Sequence, residues 1–134
     1  VQTGENEMSV YISRNNTQPT KHVARYSLRL DGFASVKAPY HGGEMITKLL
    51  TFTGNELVLN YSTSAAGFIK VEILDENGKI LPGFELENSK EIIGDKIEKI
   101  VTWNRNPDLL KLNNKPIRLR FVMKDADLFS IKFR

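Results

Sequence analysis

Apolar and polar residues alternate with a period of two along most of this chain, in short runs separated by Gly, Pro, Asn and Asp. Met8, Val10 and Ile12, for example, fall on one side of an extended segment. Successive side chains of a strand point to opposite faces, so this period is typical of half-buried antiparallel strands. The pattern predicts about eight or nine strands and no long helix, which favours an all-β antiparallel β-sandwich of jelly-roll type.

Three segments between alternating runs predict reversals of the chain. Residues 62–67, STSAAG, are small and include Gly67, so we expect them to join two strands as a hairpin. Asn77-Gly78 predicts a two-residue hairpin turn of type I′. Residues 124–127, KDAD, predict a further turn near the end of the chain.

Composition and charge exclude several classes of protein. The chain has 134 residues, 40% of them hydrophobic and 26% charged, as expected for one globular domain. No apolar run approaches the roughly 20 residues of a membrane-spanning helix. The net charge of +3 is interleaved along the chain, which does not predict a nucleic-acid partner. There is no cysteine, and any targeting signal is expected upstream of the opening VQTGENE.

Residues that carry catalysis are sparse in this sequence. His22 and His41 lie in separate predicted loops without a His or Cys partner at metal-ligand spacing. A glycosidase needs only two carboxylates across a cleft. The carboxylates in predicted loops are Glu44, Asp75, Glu76, Asp95, Glu98, Asp125 and Asp127. Because most of them lie beside Gly, Asn or Lys, we expect solvated turn residues and no catalysis by this chain alone.

Asp125 and Asp127 are the candidate metal ligands. Two carboxylates separated by one residue, together with loop carbonyl oxygens, can gather a hard cation such as calcium. The twelve-residue loop of calcium-binding helix pairs is absent. A plain turn is the competing interpretation, and we expect no other cofactor.

Trp103, Tyr40, Asn104 and Arg105 are the candidate carbohydrate-binding residues. Trp103 is the single tryptophan and is followed at a predicted strand end by three planar polar side chains, those of Asn104, Arg105 and Asn106. An aromatic ring can contact the C–H face of a sugar while planar polar groups bind its hydroxyls. Tyr40 adds a second ring in the loop APYHGGE. The alternative is that Trp103 packs in the core, because Val101 shares its predicted strand face.

Basic residues on the predicted strands raise the question of a charged binding surface. They are Lys70, Lys99, Arg118, Arg120 and Lys132. Glu72 and Glu98 are interspersed with them. This arrangement favours cross-strand ion pairs on a solvated face over a nucleic-acid site.

Longer phrases resemble a known family over nearly the whole chain. The phrases RLDGF, LNYSTSAAG, IIGD and RFVMKDADL are similar to the C-terminal β-sandwich of bacterial glycoside-hydrolase-like proteins. In that family the sandwich follows a propeller similar to the glycoside hydrolase 32 and 43 group. The resemblance implies that residues 1–30 are strands from the end of the propeller and that residues 31–134 are the sandwich.

The resemblance also implies a non-catalytic accessory domain of a secreted, periplasmic or cell-surface protein, with the catalytic residues in the preceding propeller. One hypothesis is that the domain binds a polysaccharide or glycan. The alternative is a structural domain that braces the propeller and binds no ligand. The two differ at Trp103, whose ring must be exposed in a binding module and is buried in a structural one.

Overall fold

The computed structural model describes the whole chain, Val1–Arg134. The chain divides into two compact units, Val1–Ala34 and Ser35–Arg134, near the predicted division after residue 30. Apart from one short 3-10 helix, Leu109–Leu112, the regular structure is antiparallel strand, which confirms the predicted all-β fold. No helix in it is both long and apolar enough to cross a bilayer.

The first unit is a β-hairpin. Strand β1, Glu7–Arg14, pairs with β2, His22–Arg29, in an unbroken antiparallel register. The alternation of Met8, Val10 and Ile12 predicts the first of these two strands.

The second unit contains one five-stranded sheet in the order β3-β7-β5-β6, with β4 also paired to β7. Its strands are β3, Val36–Ala38; β4, Gly43–Ile46; β5, Leu57–Asp75; β6, Asp95–Ile100; and β7, Ile117–Phe133. This arrangement is consistent with a β-sandwich, whereas the jelly-roll assignment stays a prediction.

The two longest strands pass through segments that the sequence predicted as turns. Residues 62–67 lie within β5 and residues 124–127 lie within β7, so neither segment reverses the chain. The prediction of two turns is wrong because both halves of β5 pair with β7 and not with each other. Pairing between distant segments overrides the local turn preference of small and acidic residues, and the chain has seven strands instead of eight or nine.

The irregular residues of neighbouring strands lie side by side across this sheet. Residues 64–67 of β5 lie opposite Asp125 alone, which is a large bulge. Beyond β7, residues 39–42 interrupt the edge formed by β3 and β4, and a carbonyl of this loop accepts the Asp125 amide at 3.0 Å. On the β6 side, the Thr63 amide donates to the Gly94 carbonyl at 2.8 Å. We call residues 39–42, 64–67, 94 and 125 the corner.

The corner lets both halves of one sheet contribute to a single core. Bulges bend a strand and increase its twist, and Asp125, Gly42 and Gly94 have positive φ angles of 41°, 89° and 108°. One hydrophobic cluster contains side chains from both sides of the corner. From one side come Leu57, Leu59, Tyr61, Ala126 and Leu128, and from the other come Ile69, Val71, Ile73, Ile117, Leu119, Phe121 and Met123.

The predicted turn at Asn77-Gly78 is present, but it is not a two-residue type I′ turn. That type requires positive φ at both central residues, and only Gly78 has it, at 82°. The Asp75 amide donates to the Lys79 carbonyl at 2.8 Å, and the Asp75 carboxylate accepts the Asn77 and Lys79 amides at 2.9 and 2.8 Å. Asp75 therefore stabilises a wider turn than the dipeptide alone predicts.

We expect Gly67→Ala to lower the free energy of unfolding by about 1–3 kcal/mol. A Cβ at this position would lie 2.5 Å from the Lys124 carbonyl oxygen and closer still to that of Asp125. Gly43→Ala is the control, because its Cβ would meet no atom within 4 Å. Urea unfolding followed by circular dichroism measures both, and equal stability of the Gly67 variant and the wild type would contradict the bulge.

Candidate functional site

The single tryptophan is a core residue. Trp103 is only 4% exposed, its Nε1 donates to the Val71 carbonyl at 2.9 Å, and its ring packs edge to face on Phe84 with centroids 5.1 Å apart. Val101 is buried beside it in the same cluster. Trp103 therefore lacks the exposed ring face that stacking on a sugar requires, and the structure corrects its predicted role as a platform.

Tyr40 is exposed but lies far from Trp103 in the strand order. It belongs to the corner loop between β3 and β4 and is 66% exposed, with the Lys124 Nζ 4.6 Å from its ring centroid. Trp103 follows β6, at the other edge of the sheet, and strands β7 and β5 lie between these edges. The two predicted aromatic residues therefore do not form one platform.

Asn104 and Arg105 are exposed on the loop that follows Trp103. The backbone amide of Asn104 donates to the backbone carbonyl of Asn88 at 2.7 Å. The Gly83 amide lowers the pKa of Glu85, with further contributions from the Asn88 side chain and the charge of Arg105. Asn104 therefore adjoins the loop of residues 83–88, and the charge of Arg105 acts on Glu85 of this loop.

The structure brings no third His, Cys, Asp or Glu side chain to the predicted metal pair. Asp127 Oδ1 accepts a hydrogen bond from Ser35 Oγ at 2.7 Å, and Asp125 adopts the left-handed conformation of the corner. No group of three or more His, Cys, Asp or Glu side chains is arranged to hold a metal ion. Calcium binding at this pair stays a prediction.

Several candidate catalytic carboxylates have structural partners. Glu44 pairs with Arg120, Asp75 with the amides of its turn, Asp127 with Ser35, and Glu98 with Lys132 and Arg134. The hydrogen bonds from Lys132 and Arg134 lower the pKa of Glu98. The predicted cross-strand ion pairs are present at both Glu98 and Glu72, but the predicted solvated face is wrong for Glu72, whose side chain is only 3% exposed.

Glu72 is a buried carboxylate that joins strands to a loop. Its side chain is 3% exposed, and its two oxygens accept from Arg120 Nη1 and from the Leu86 amide, each at 3.0 Å. Arg120 also donates to Glu44 through Nε and Nη2, at 3.0 and 2.7 Å. Hydrogen bonds to Glu44 and then to Glu72 raise the pKa of Arg120. This network links β4, β7 and β5 to the segment around Leu86.

A cleft that the sequence did not predict lies at the end of β6. Its volume is about 280 Å³. The polar groups of its lining come from Asn55, Glu56, Thr102 and Asn106, and Trp103 and Pro107 are among its apolar residues. Asn106 belongs to the predicted polar stretch after Trp103, but no local pattern links it to residues 55 and 56, which are distant in sequence.

No family model matches this chain, and neither a curated protein nor a solved structure matches it significantly. The resemblance described from the sequence therefore stays a prediction.

We expect Trp103→Ala to cost about 3–5 kcal/mol of unfolding free energy, because it leaves a cavity in the core and an unpaired Val71 carbonyl. Tyr40→Ala is the aromatic control, and its exposed ring predicts a loss of at most about 1 kcal/mol. Chemical unfolding measures both variants. Comparable losses for the two rings would contradict the burial of Trp103.

We expect Arg120→Ala to destabilise the domain by about 3–5 kcal/mol, because it leaves Glu72 buried without its cation. The double variant Arg120→Met/Glu72→Gln should lose less than this single variant, since the buried charge is removed and the Leu86 amide keeps an acceptor.

Lys132→Ala is the control for this network because its partner, Glu98, is half exposed. A loss of about 1 kcal/mol or less is expected for that variant. If the Arg120 and Lys132 variants unfold at the same urea concentration, the stability of the domain does not depend on the ion pair between Glu72 and Arg120.

Proposed function

We propose that this chain is a non-catalytic accessory domain of a carbohydrate-active protein and that its main role is structural, to brace a neighbouring catalytic domain. The observation that carries this proposal is the exposed apolar face of the hairpin β1–β2. A location outside the cytoplasm, secreted, periplasmic or at the cell surface, is part of the proposal.

The burial of Trp103 favours bracing over an aromatic sugar platform. A binding module of the predicted kind needs the ring of Trp103 at its surface, whereas the ring lies in the core and its Nε1 is bonded to the Val71 carbonyl. The carboxylates Glu44 and Glu98 are likewise engaged in ion pairs that hold strands together. These groups therefore have structural roles within the domain.

The hairpin has an apolar face of the kind that a partner surface covers. Register pairs Met8 with Leu28, Val10 with Tyr26 and Ile12 with Ala24, which places all six on one face. Val10, Tyr26 and Ile12 are exposed, Ile12 by 47%. A two-stranded hairpin is at best marginally stable in water by itself. Packing of this face on another domain would remove apolar area from water and order the hairpin.

The neighbour that we propose is the propeller implied by the family resemblance. In that family the strands corresponding to residues 1–30 belong to the end of the propeller. The hairpin would then complete the sheet or face of the propeller, and the five-stranded unit would follow it. The catalytic carboxylates would belong to the propeller.

Carbohydrate binding by this chain is the second candidate function, and the cleft at the end of β6 is the observation that favours it. Its lining combines two amide side chains, a hydroxyl and a carboxylate with apolar residues. Such mixed linings are common in sites for small ligands.

The bracing role predicts that the hairpin face binds the propeller encoded beside this chain. Ile12→Ser should weaken the association at least about tenfold in calorimetric titration, because it places a polar group in an apolar contact. Tyr11→Ser is the matched control, since Tyr11 is exposed on the opposite face of β1. Equal binding by both variants, or a gene without an adjacent propeller, would contradict the proposal.

A further inference from the structure

We propose that the cleft lined by Asn55, Glu56, Thr102, Trp103, Asn106 and Pro107 binds a single neutral sugar unit, an inference that rests on the second candidate function, carbohydrate binding, and is separate from the bracing role. The site differs from the aromatic platform predicted from the sequence. Tyr40 takes no part in it, and Trp103 contributes to one wall of the cleft instead of an exposed ring face.

Backbone hydrogen bonds hold the walls of the cleft in place. The backbone amide of Val101 donates to the Leu57 carbonyl at 2.8 Å, and the backbone amide of Asn106 donates to the Trp103 carbonyl at 2.9 Å. The backbone amides of Asn55 and Glu56 both donate to the backbone carbonyl of Arg134, at 2.8 and 2.9 Å. A site that is already ordered loses little conformational entropy when a ligand binds.

The polar groups of the cleft match hydroxyl groups. The side chains of Asn55 and Asn106 each offer donors and an acceptor, and Thr102 offers a hydroxyl. A sugar hydroxyl is also both donor and acceptor, so each of these groups can pair with one. Exposure of all three side chains leaves them accessible to a ligand.

The charge of the cleft favours a neutral ligand. Glu56 is the single ionisable residue of its lining, and its Oε2 accepts from Arg134 Nε at 2.7 Å. An anion would lie beside the carboxylate, while a cation would compete with Arg134 for it. A neutral hydroxyl can donate to Glu56 while the ion pair remains.

The size and apolar surface of the cleft favour one sugar unit over the face of a long chain. Ile100, Pro107 and Leu109 supply apolar contacts for C–H groups. The volume of about 280 Å³ is just below the range of roughly 300–1,000 Å³ for pockets that hold drug-sized ligands. We therefore expect a free monosaccharide or the terminal unit of a glycan.

The test titrates the complete chain with neutral monosaccharides up to about 100 mM, a hundredfold above a dissociation constant of about 1 mM. The panel contains glucose, galactose, mannose, xylose, rhamnose, fucose and N-acetylglucosamine. Trp103 is the only tryptophan and lines the cleft, so its emission reports on occupancy. Amide chemical shifts of residues 100–106 locate the ligand independently. At least one sugar should produce saturable changes in both signals.

Paired variants test whether the cleft is the site. Asn106→Gly removes the amide side chain and suits the left-handed φ of 43° at this position. It should weaken binding about three- to tenfold, the loss expected for one or two neutral hydrogen bonds. Asn114→Gly is its control, because Asn114 also has positive φ, 59°, and lies outside the lining.

Glu56→Gln forms a second pair with Glu98→Gln. Both carboxylates bond to Arg134, but only Glu56 lines the cleft. The Glu56 variant should weaken sugar binding and the Glu98 variant should not. Binding that persists unchanged in Asn106→Gly and Glu56→Gln would overturn the assignment of the site.

A panel in which no sugar shifts the cleft amides would overturn sugar binding here altogether. Neither outcome bears on the bracing role, since association of the hairpin with a propeller is measured separately. The two proposals can therefore fail independently.

Discussion

The pairing of β5 with β7 on both sides of the corner is the interaction on which the rest of the second unit depends. These strands have 19 and 17 residues, and their register is regained after four residues of β5 pass opposite Asp125. Because irregular residues of the neighbouring strands align with this bulge, the whole sheet can bend along one line. Side chains from both halves of the sheet then share one core. Two separate hairpins would instead have to form that core by packing the faces of two unconnected sheets together.

The second half of β5 also explains the position of Trp103. The edge of this half that faces away from β7 has no long partner strand, so side chains bond to its backbone groups. Ser89 Oγ accepts a hydrogen bond from the Val71 amide at 2.9 Å, and Trp103 Nε1 donates to the Val71 carbonyl at the same distance. The indole is therefore needed inside the domain. Chain segments that leave the sheet beside it form the cleft, so the packing that removes Trp103 from the surface also creates the candidate sugar site.

Periodicity predicted the strand faces but not the connections between strands. Ile117, Leu119 and Phe121 are buried on one face of β7, as the period of two in residues 117–121 predicts, because only one face of this part of the strand packs on the core. STSAAG was misinterpreted because small residues suit a bulge as well as a turn, and only the distant partner β7 decides between them. The cleft was missed for a related reason, since Glu56 and Asn106 are brought together only by tertiary pairing.

Backbone nuclear Overhauser effects across the bulge test most directly whether β5 runs through STSAAG as one strand paired with β7. A continuous β5 predicts cross-strand contacts of Tyr61 with Leu128 and of Ile69 with Met123, which is the register on the two sides of the corner. A hairpin at STSAAG would instead bring Tyr61 close to Phe68. Observation of that contact, without those to β7, would contradict the continuous strand and with it the shared core and the cleft.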